Sequence, residues 1–200
     1  VGCGAGGFLR RCLDDKIRSI DDVLGLDLDP ESVATASARG IPAQVMPPDD
    51  VSSIVKCQPA AITMLDVMEH IEDPIPLLKE IRSVAASDTM LIVLVPAMRA
   101  LWSPWDDRLG HFRRYDRHLV RKTLKKAGWK VRHTRYLFPS MVLPGLLRAK
   151  MLRADALPAD EFPVVSPPVN RILHAVTSME SRVSCWPIGS SLAAVARPDN

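Results

Sequence analysis

The sequence predicts an α/β fold built on a doubly wound, mostly parallel sheet, and three observations carry that prediction. Apolar runs of strand length alternate with helix-like segments along most of the 200 residues, the rhythm of a parallel sheet whose crossovers are helices. The chain opens on Val1-Gly2-Cys3-Gly4-Ala5-Gly6-Gly7, a glycine-rich turn of the kind that joins a strand to a helix and lets backbone approach a bound nucleotide. Asp27 ends an apolar run about 20 residues beyond the last of these glycines, the distance at which a carboxylate meets ribose hydroxyls in such a site.

Each element follows in order. Phe8 to Ile17 reads as a helix, with Leu9, Leu13 and Ile17 as its buried stripe and Cys12 beside it. Val23 to Leu26 is a short buried strand ending at Asp27. Asp29 and Pro30 cap and start a helix that runs to about Ala38, before Gly40. Ala43 to Met46 is a third strand, closed by Pro47-Pro48-Asp49-Asp50. Ala60 to Leu65 is a fourth, running into Asp66-Val67-Met68-Glu69-His70. Asp73-Pro74 starts a helix with Leu77, Leu78, Ile81 and Val84 on one face. Met90 to Val95 is continuously apolar, as a strand covered on both faces would be. Residues 98–115 read as a long loop, Arg117 to Lys126 as a basic helix ended by Gly128, and Trp129 to Leu137 as a strand. Residues 139–188 break the rhythm with two helices, near 141–153 and 169–183, and Ser191 to Ala196 is the last strand. The expected organisation is one domain over 1–200, with 139–188 as a helical lid or insertion.

Composition narrows the classes. Apolar residues make up 47%, enough for one core. Residues 1–100 carry nine Lys and Arg against fifteen Asp and Glu, and residues 101–200 carry seventeen against eight. The first half thus suits a cationic or neutral ligand and the second an anionic partner. The four cysteines, Cys3, Cys12, Cys57 and Cys185, have no metal-ligand spacing, so a reduced cytoplasmic protein without a metal is expected. No apolar run reaches the ~18 residues of a membrane span. Residues 113–135 hold ten Lys and Arg and one acid, Asp116. Much of that charge lies on one helix with no interleaved aromatics, which argues against a nucleic-acid groove. The apolar stretch 138–147, followed by Arg148, Lys150 and Arg153, can instead lie on a membrane surface, admit a lipid-like acceptor, pack on the sheet or form a homodimer contact.

Two glycine templates fit the opening turn. Gly2, Gly4 and Gly7 match the G-x-G-x-x-G of dinucleotide enzymes, whereas Gly2, Gly4 and Gly6 match a shorter G-x-G-x-G. The later motifs separate them. Together with Gly25-Leu26-Asp27-Leu28-Asp29-Pro30 and Asp66 to Pro74, the turn resembles the class I S-adenosylmethionine-dependent methyltransferases. The Asp-Val-Met-Glu-His stretch is especially similar to the branch that includes ubiquinone-biosynthesis O-methyltransferases. Leu101-Trp102-Ser103 and Gly110 to Tyr115 resemble uncharacterised bacterial members.

The resemblance implies a Rossmann-like sheet of seven strands, the last antiparallel, and S-adenosylmethionine as cofactor. Gly2, Cys3, Gly4 and Gly6 would pass beneath its methionine portion, and Asp27 would accept both ribose hydroxyls. Leu28 would lie against adenine, and Asp49 or Asp50 would meet the adenine amino group. Asp66, Val67, Glu69 and His70 would line the floor beside the sulfonium. On the acceptor side, Trp102, His111, Arg114 and Tyr115 are the expected substrate contacts, with His111 and His70 as candidate general bases. The expected reaction is methylation of a small or lipid-linked acceptor at oxygen. An NAD-type oxidoreductase and a non-catalytic binding module are the competing classes. Only Val1 precedes a turn that should follow a buried strand, so the first strand is expected to be largely missing and the chain to be a fragment.

Overall fold

The computed structural model describes residues 1–47, 50–151, 166–183 and 185–199. Among these, six strands form two sheets. Strand β1 (Gly25–Asp27) pairs in parallel with β2 (Ala43–Val45). The second sheet has the order β3-β4-β6-β5, made of β3 (Ala61–Leu65), β4 (Met90–Pro96), β5 (Trp129–Leu137) and β6 (Ser191–Pro198). β3 and β4 are parallel, and β6 is antiparallel to both neighbours, β4 and β5. Val1 to Cys3 occupy the lane between the sheets. The Val1 nitrogen donates to the Thr63 carbonyl at 2.8 Å, and the Cys3 N–H donates to Leu26 at 3.0 Å. The anticipated α/β architecture with an antiparallel last strand is therefore present.

The larger sheet buries one face completely. Ile62, Met64, Leu91, Val93, Val95, Leu192, Ala194 and Ala196 alternate along their strands and are all shielded, the period-two signature of a covered face. Helices α4 (Ile75–Val84) and α6 (Arg117–Lys126) lie over it, contributing Leu78, Ile81, Val120 and Leu124. Trp129 is fully buried and its indole donates to the Leu78 carbonyl at 2.9 Å. Thr63, Ile92 and Leu94, on the other face, are partly buried, so β4 is covered on both sides but more fully on one.

Local signals explain most boundaries. Helix α2 (Pro30–Ala38) starts where the Asp29 carboxylate accepts from the Glu31 and Ser32 N–H groups. Asp116 caps α6 through the Leu119 N–H at 2.7 Å. Its basic residues Arg121, Lys122, Lys125 and Lys126 face outward as a solvated surface. Helix α1 (Gly7–Asp14) is shorter than expected, because the chain turns at Lys16 with φ 55° and leaves Ile17 exposed. A short helix α3 (Ser52–Cys57) precedes β3. The loop after β4 also holds a helix, α5 (Pro104–Arg108), fixed by a capping box between Ser103 and Asp106. Between β5 and β6 lie α7 (Val142–Met151) and α8 (Pro167–Glu180). The expected end of the first of these helices, at 152–153, lies outside the described residues. No helix among the described residues is long and apolar enough to cross a membrane.

Candidate active site

The glycine turn is held by the acid that follows it. Gly2 and Gly4 both have positive φ, 69° and 50°, where a side chain is strained. At Gly2 a Cβ would also run into Val67, whereas at Gly4 it would meet nothing and point into open space. The Gly4 N–H donates to Asp27 Oδ2 at 2.7 Å, and the Asp29 N–H donates to Oδ1 at 3.1 Å. Each carboxylate oxygen keeps a second acceptor direction.

This turn forms one wall of a cleft of about 710 Å³, within the usual range for a small-molecule site. Gly2, Gly4, Asp27, Leu28 and Met46 line the β1 side. Asp66, Val67, His70, Phe112 and the first turns of α4 line the β3 side. Leu28 and Phe112 are half exposed, at 57% and 51%, so the cleft offers apolar surface at both sides. Asp66 sits at φ 52° at the end of β3. The residue is exposed, yet partial desolvation of its carboxyl pushes its pKa up against the opposing charge of His111 and His70. Partial desolvation lowers the pKa of His70, exposed as it is, helped by the neighbouring His111.

Behind His70 lies a polar group that the chain builds from separate loops. The His70 and His111 rings meet edge to face with centroids 4.7 Å apart. His111 Nδ1 is 3.0 Å from Asp106 Oδ1. Asp106 is fully buried and receives Arg114 Nε at 2.7 Å and Nη2 at 3.1 Å. It also accepts the Ser103 N–H at 2.9 Å. Burial opposes the charge on Asp106, but the Arg114 hydrogen bonds and charge, with His111 and Ser103, hold its carboxyl below the usual range. Glu69 is 1% exposed and neither of its carboxylate oxygens has a hydrogen-bond partner. Burial raises its pKa to about 8, with the charges of Asp66 and Asp106 adding to the rise and that of Arg114 opposing it.

A sequence model described as a methyltransferase domain matches residues 1–134. The chain belongs to the methyltransferase domain family. No curated protein matches the sequence significantly. Among solved structures, the fold is similar to a chain of the complex between the Haloferax volcanii Trm112 methyltransferase activator and the putative methyltransferase. That match has 18% identity and a TM-score of 0.64, and covers 100% of this chain and 80% of that one. An Archaeoglobus fulgidus SAM-dependent methyltransferase aligns over 98% of this chain and 83% of its own, at 17% identity and TM-score 0.58. The O-methyltransferase NcsB1 from neocarzinostatin biosynthesis aligns over 66% and 43%, at 19% identity and TM-score 0.56.

The methyltransferase reading of the glycines thus prevails over the dinucleotide one, and the resemblance to class I enzymes is borne out. Several individual expectations need correcting. In this methyltransferase the Cys3 side chain packs toward Gly25 and Leu9, away from the cleft. Gly6 is buried against Ala36 and Ile41 and serves packing rather than ligand contact. Asp50 is exposed and stands outside the cleft lining, and Asp49 lies outside the described residues. Tyr115 is 1% exposed and its hydroxyl donates to the Met68 carbonyl at 3.2 Å, so it is a core residue. Arg114 is committed to Asp106 and to the Ala97 carbonyl, so it is not free to grip an acceptor. Trp102 donates to Asp107 at 3.1 Å and anchors its own loop. Helix α7 packs on the Arg99–Leu101 turn, with Arg148 over the Trp105 ring at 5.1 Å. It braces the loop that carries His111, and it is not part of the cleft lining. Asp106 carries no functional signature in the sequence beyond Ser-x-x-Asp ahead of Arg108, a helix-start signal.

Proposed function

We propose that the protein methylates an oxygen atom of a small or lipid-linked acceptor, using S-adenosylmethionine bound in the cleft between β1 and β3. The carrying observation is that the positive-φ glycines, the Asp27 carboxylate and the exposed Leu28 side chain line the same cleft as His70. The residues fit the cofactor. Gly4 leaves open space where a side chain would stand, Asp27 retains acceptor capacity, and Leu28 offers an apolar face. In this reading Gly2 and Gly4 pass beneath the methionine portion, Asp27 accepts the ribose hydroxyls, and Leu28 lies against adenine. Asp66 and Val67 flank the sulfonium.

When bound, the cofactor would supply an electrophilic methyl group on a sulfonium, with the sulfur as the leaving group that takes the bonding pair as the acceptor oxygen bonds to the methyl carbon. The chain's own work is then to align the reactants and exclude water, effects worth up to about 7–11 kcal/mol in favourable intramolecular systems. His70 faces the cleft and accepts the acceptor's proton. Asp66, close enough to raise the basicity of that ring, stabilises the imidazolium that results. His111, fixed by Asp106, supports His70 from behind. Leu143 and Leu147 are exposed beside Arg148, which suits an acceptor carried on a lipid or a peripheral contact with a membrane surface.

The test is to incubate the protein with the cofactor and phenolic, enolic, carboxylate and amine acceptors, and to locate the added methyl by mass spectrometry. Methyl ethers of hydroxyl acceptors are expected. Methylation at nitrogen or carbon instead overturns the oxygen assignment. Tight cofactor binding with no turnover on any acceptor favours a regulatory binding module.

A further inference from the structure

Among the described residues no hydrogen bond reaches either oxygen of the buried Glu69 carboxyl, and the residue is 1% exposed. Isolated carboxylates in an apolar setting are strongly disfavoured, and unsatisfied buried groups are rare. Two imidazoles stand next to it. One ligand atom from each of Glu69, His70 and His111 lies within 4.8 Å of the other two. The His111 ring is turned by Asp106, which takes its Nδ1 at 3.0 Å and leaves Nε2 as the free nitrogen. Asp106 is in turn held by Arg114 and Ser103. A carboxylate-backed imidazole of this kind is how metal-ligating histidines are oriented and made more basic.

We infer that Glu69, His70 and His111 form a binding site for a divalent first-row transition cation, with zinc as the best match, and with an open coordination position facing the cleft. Two imidazole nitrogens and one carboxylate suit a borderline cation, whereas magnesium and calcium prefer sets made of oxygen. Zinc takes such ligands at about 2.0–2.2 Å, so the three atoms must draw together by less than about 1 Å. Three protein ligands with a fourth position open is the pattern of catalytic rather than structural zinc. His70 lines the cleft, so the open position points there.

The role of that position rests on the methyl-transfer reading. An acceptor hydroxyl binding the cation gives up its proton to solvent and is held as an oxyanion. Its oxygen then forms the bond to the methyl carbon as the carbon–sulfur bond breaks. With the cation in place the imidazoles are ligands and no longer bases. The acceptor class is a hydroxyl compound acidic enough to ionise on a metal, such as a phenol or an enol.

The test is calorimetric titration of the metal-stripped protein with zinc alone, and separately with magnesium, near neutral pH. One zinc per chain is expected, with no magnesium binding over the same range. Glu69→Gln and His70→Ala should each weaken zinc by at least about tenfold. His70 is exposed, so its variant is expected to keep the melting curve of the parent even if the Glu69 variant folds poorly. Cobalt bound in place of zinc should give a spectrum without a thiolate charge-transfer band, which excludes capture by the four cysteines. Absence of zinc binding, a thiolate band, or zinc affinity unchanged in both variants would overturn the site. Asp27→Ala should lose cofactor affinity and keep zinc affinity. Zinc binding without methyl transfer therefore supports the metal site while removing the reading of the cleft.

Discussion

Gly4 and Asp27 are bonded to each other: the backbone N–H of the turn donates to the carboxylate at the end of β1, 2.7 Å away. The acid therefore shapes the glycine turn as well as facing the cleft. Asp27→Ala should remove at least one charge-assisted hydrogen bond to the cofactor, worth about 1.5–3 kcal/mol, and release the turn as well. Calorimetry should show S-adenosylmethionine binding weakened by at least about tenfold. Unchanged affinity would take Asp27 out of the site.

The two cleft glycines should respond differently to a methyl group. In Gly2→Ala the new Cβ collides with Val67, in addition to strain at positive φ of roughly 1–2 kcal/mol. Gly4→Ala carries the backbone strain alone, because its Cβ meets no neighbour. Thermal melts should therefore place Gly2→Ala below Gly4→Ala, while both lose cofactor affinity. Equal melting temperatures would contradict the close approach of Val67.

Asp106 should be the most costly side chain to remove around the cleft. It is fully buried and Arg114 is only 15% exposed. Asp106→Ala leaves that guanidinium unpaired and should destabilise by about 3–5 kcal/mol. Because its carboxyl sits below the usual range in the fold, its contribution is fully present above about pH 4, the ordinary aspartate value. It is lost as pH falls through the lower folded-state value. Denaturant melts down an acid series should show this loss in the parent and not in the variant.

Glu69 has the opposite sign. Its carboxyl is held up to about 8 in the fold, while in the unfolded chain it ionises near about 4.3. Between these values the folded state binds the extra proton, so metal-free protein should lose stability as pH rises, by about 1.4 kcal/mol per unit at most. Glu69→Gln should flatten that slope and raise the melting temperature above pH 6 or so. A parallel pH profile in parent and variant would show that the carboxyl is not buried.

Much of the fold was legible because its signals are local. The apolar alternation of β3, β4 and β6, the caps at Asp29 and Asp116, and the positive-φ glycines each act within a few residues. Glu69, His70, His111 and Arg114 stood out singly in the sequence, but their grouping around Asp106 was not legible, for the opposite reason. Glu69 and His70 lie after β3, and His111, Asp106 and Arg114 lie around α5. The parallel pairing of β3 with β4 brings those two loops together, and the Phe112 N–H donating to the Glu69 carbonyl at 2.7 Å ties them. Spacing along the chain therefore gave no metal-ligand pattern. It also could not distinguish a tyrosine or arginine facing a substrate from one, like Tyr115 or Arg114, bonded inward.

The cofactor assignment is tested most directly by titrating the folded protein with S-adenosylmethionine and, in parallel, with NAD. One-to-one binding of S-adenosylmethionine, with NAD at least about a hundredfold weaker, is the predicted result. A cooperatively melting protein that binds no S-adenosylmethionine, or binds NAD as well, would contradict it.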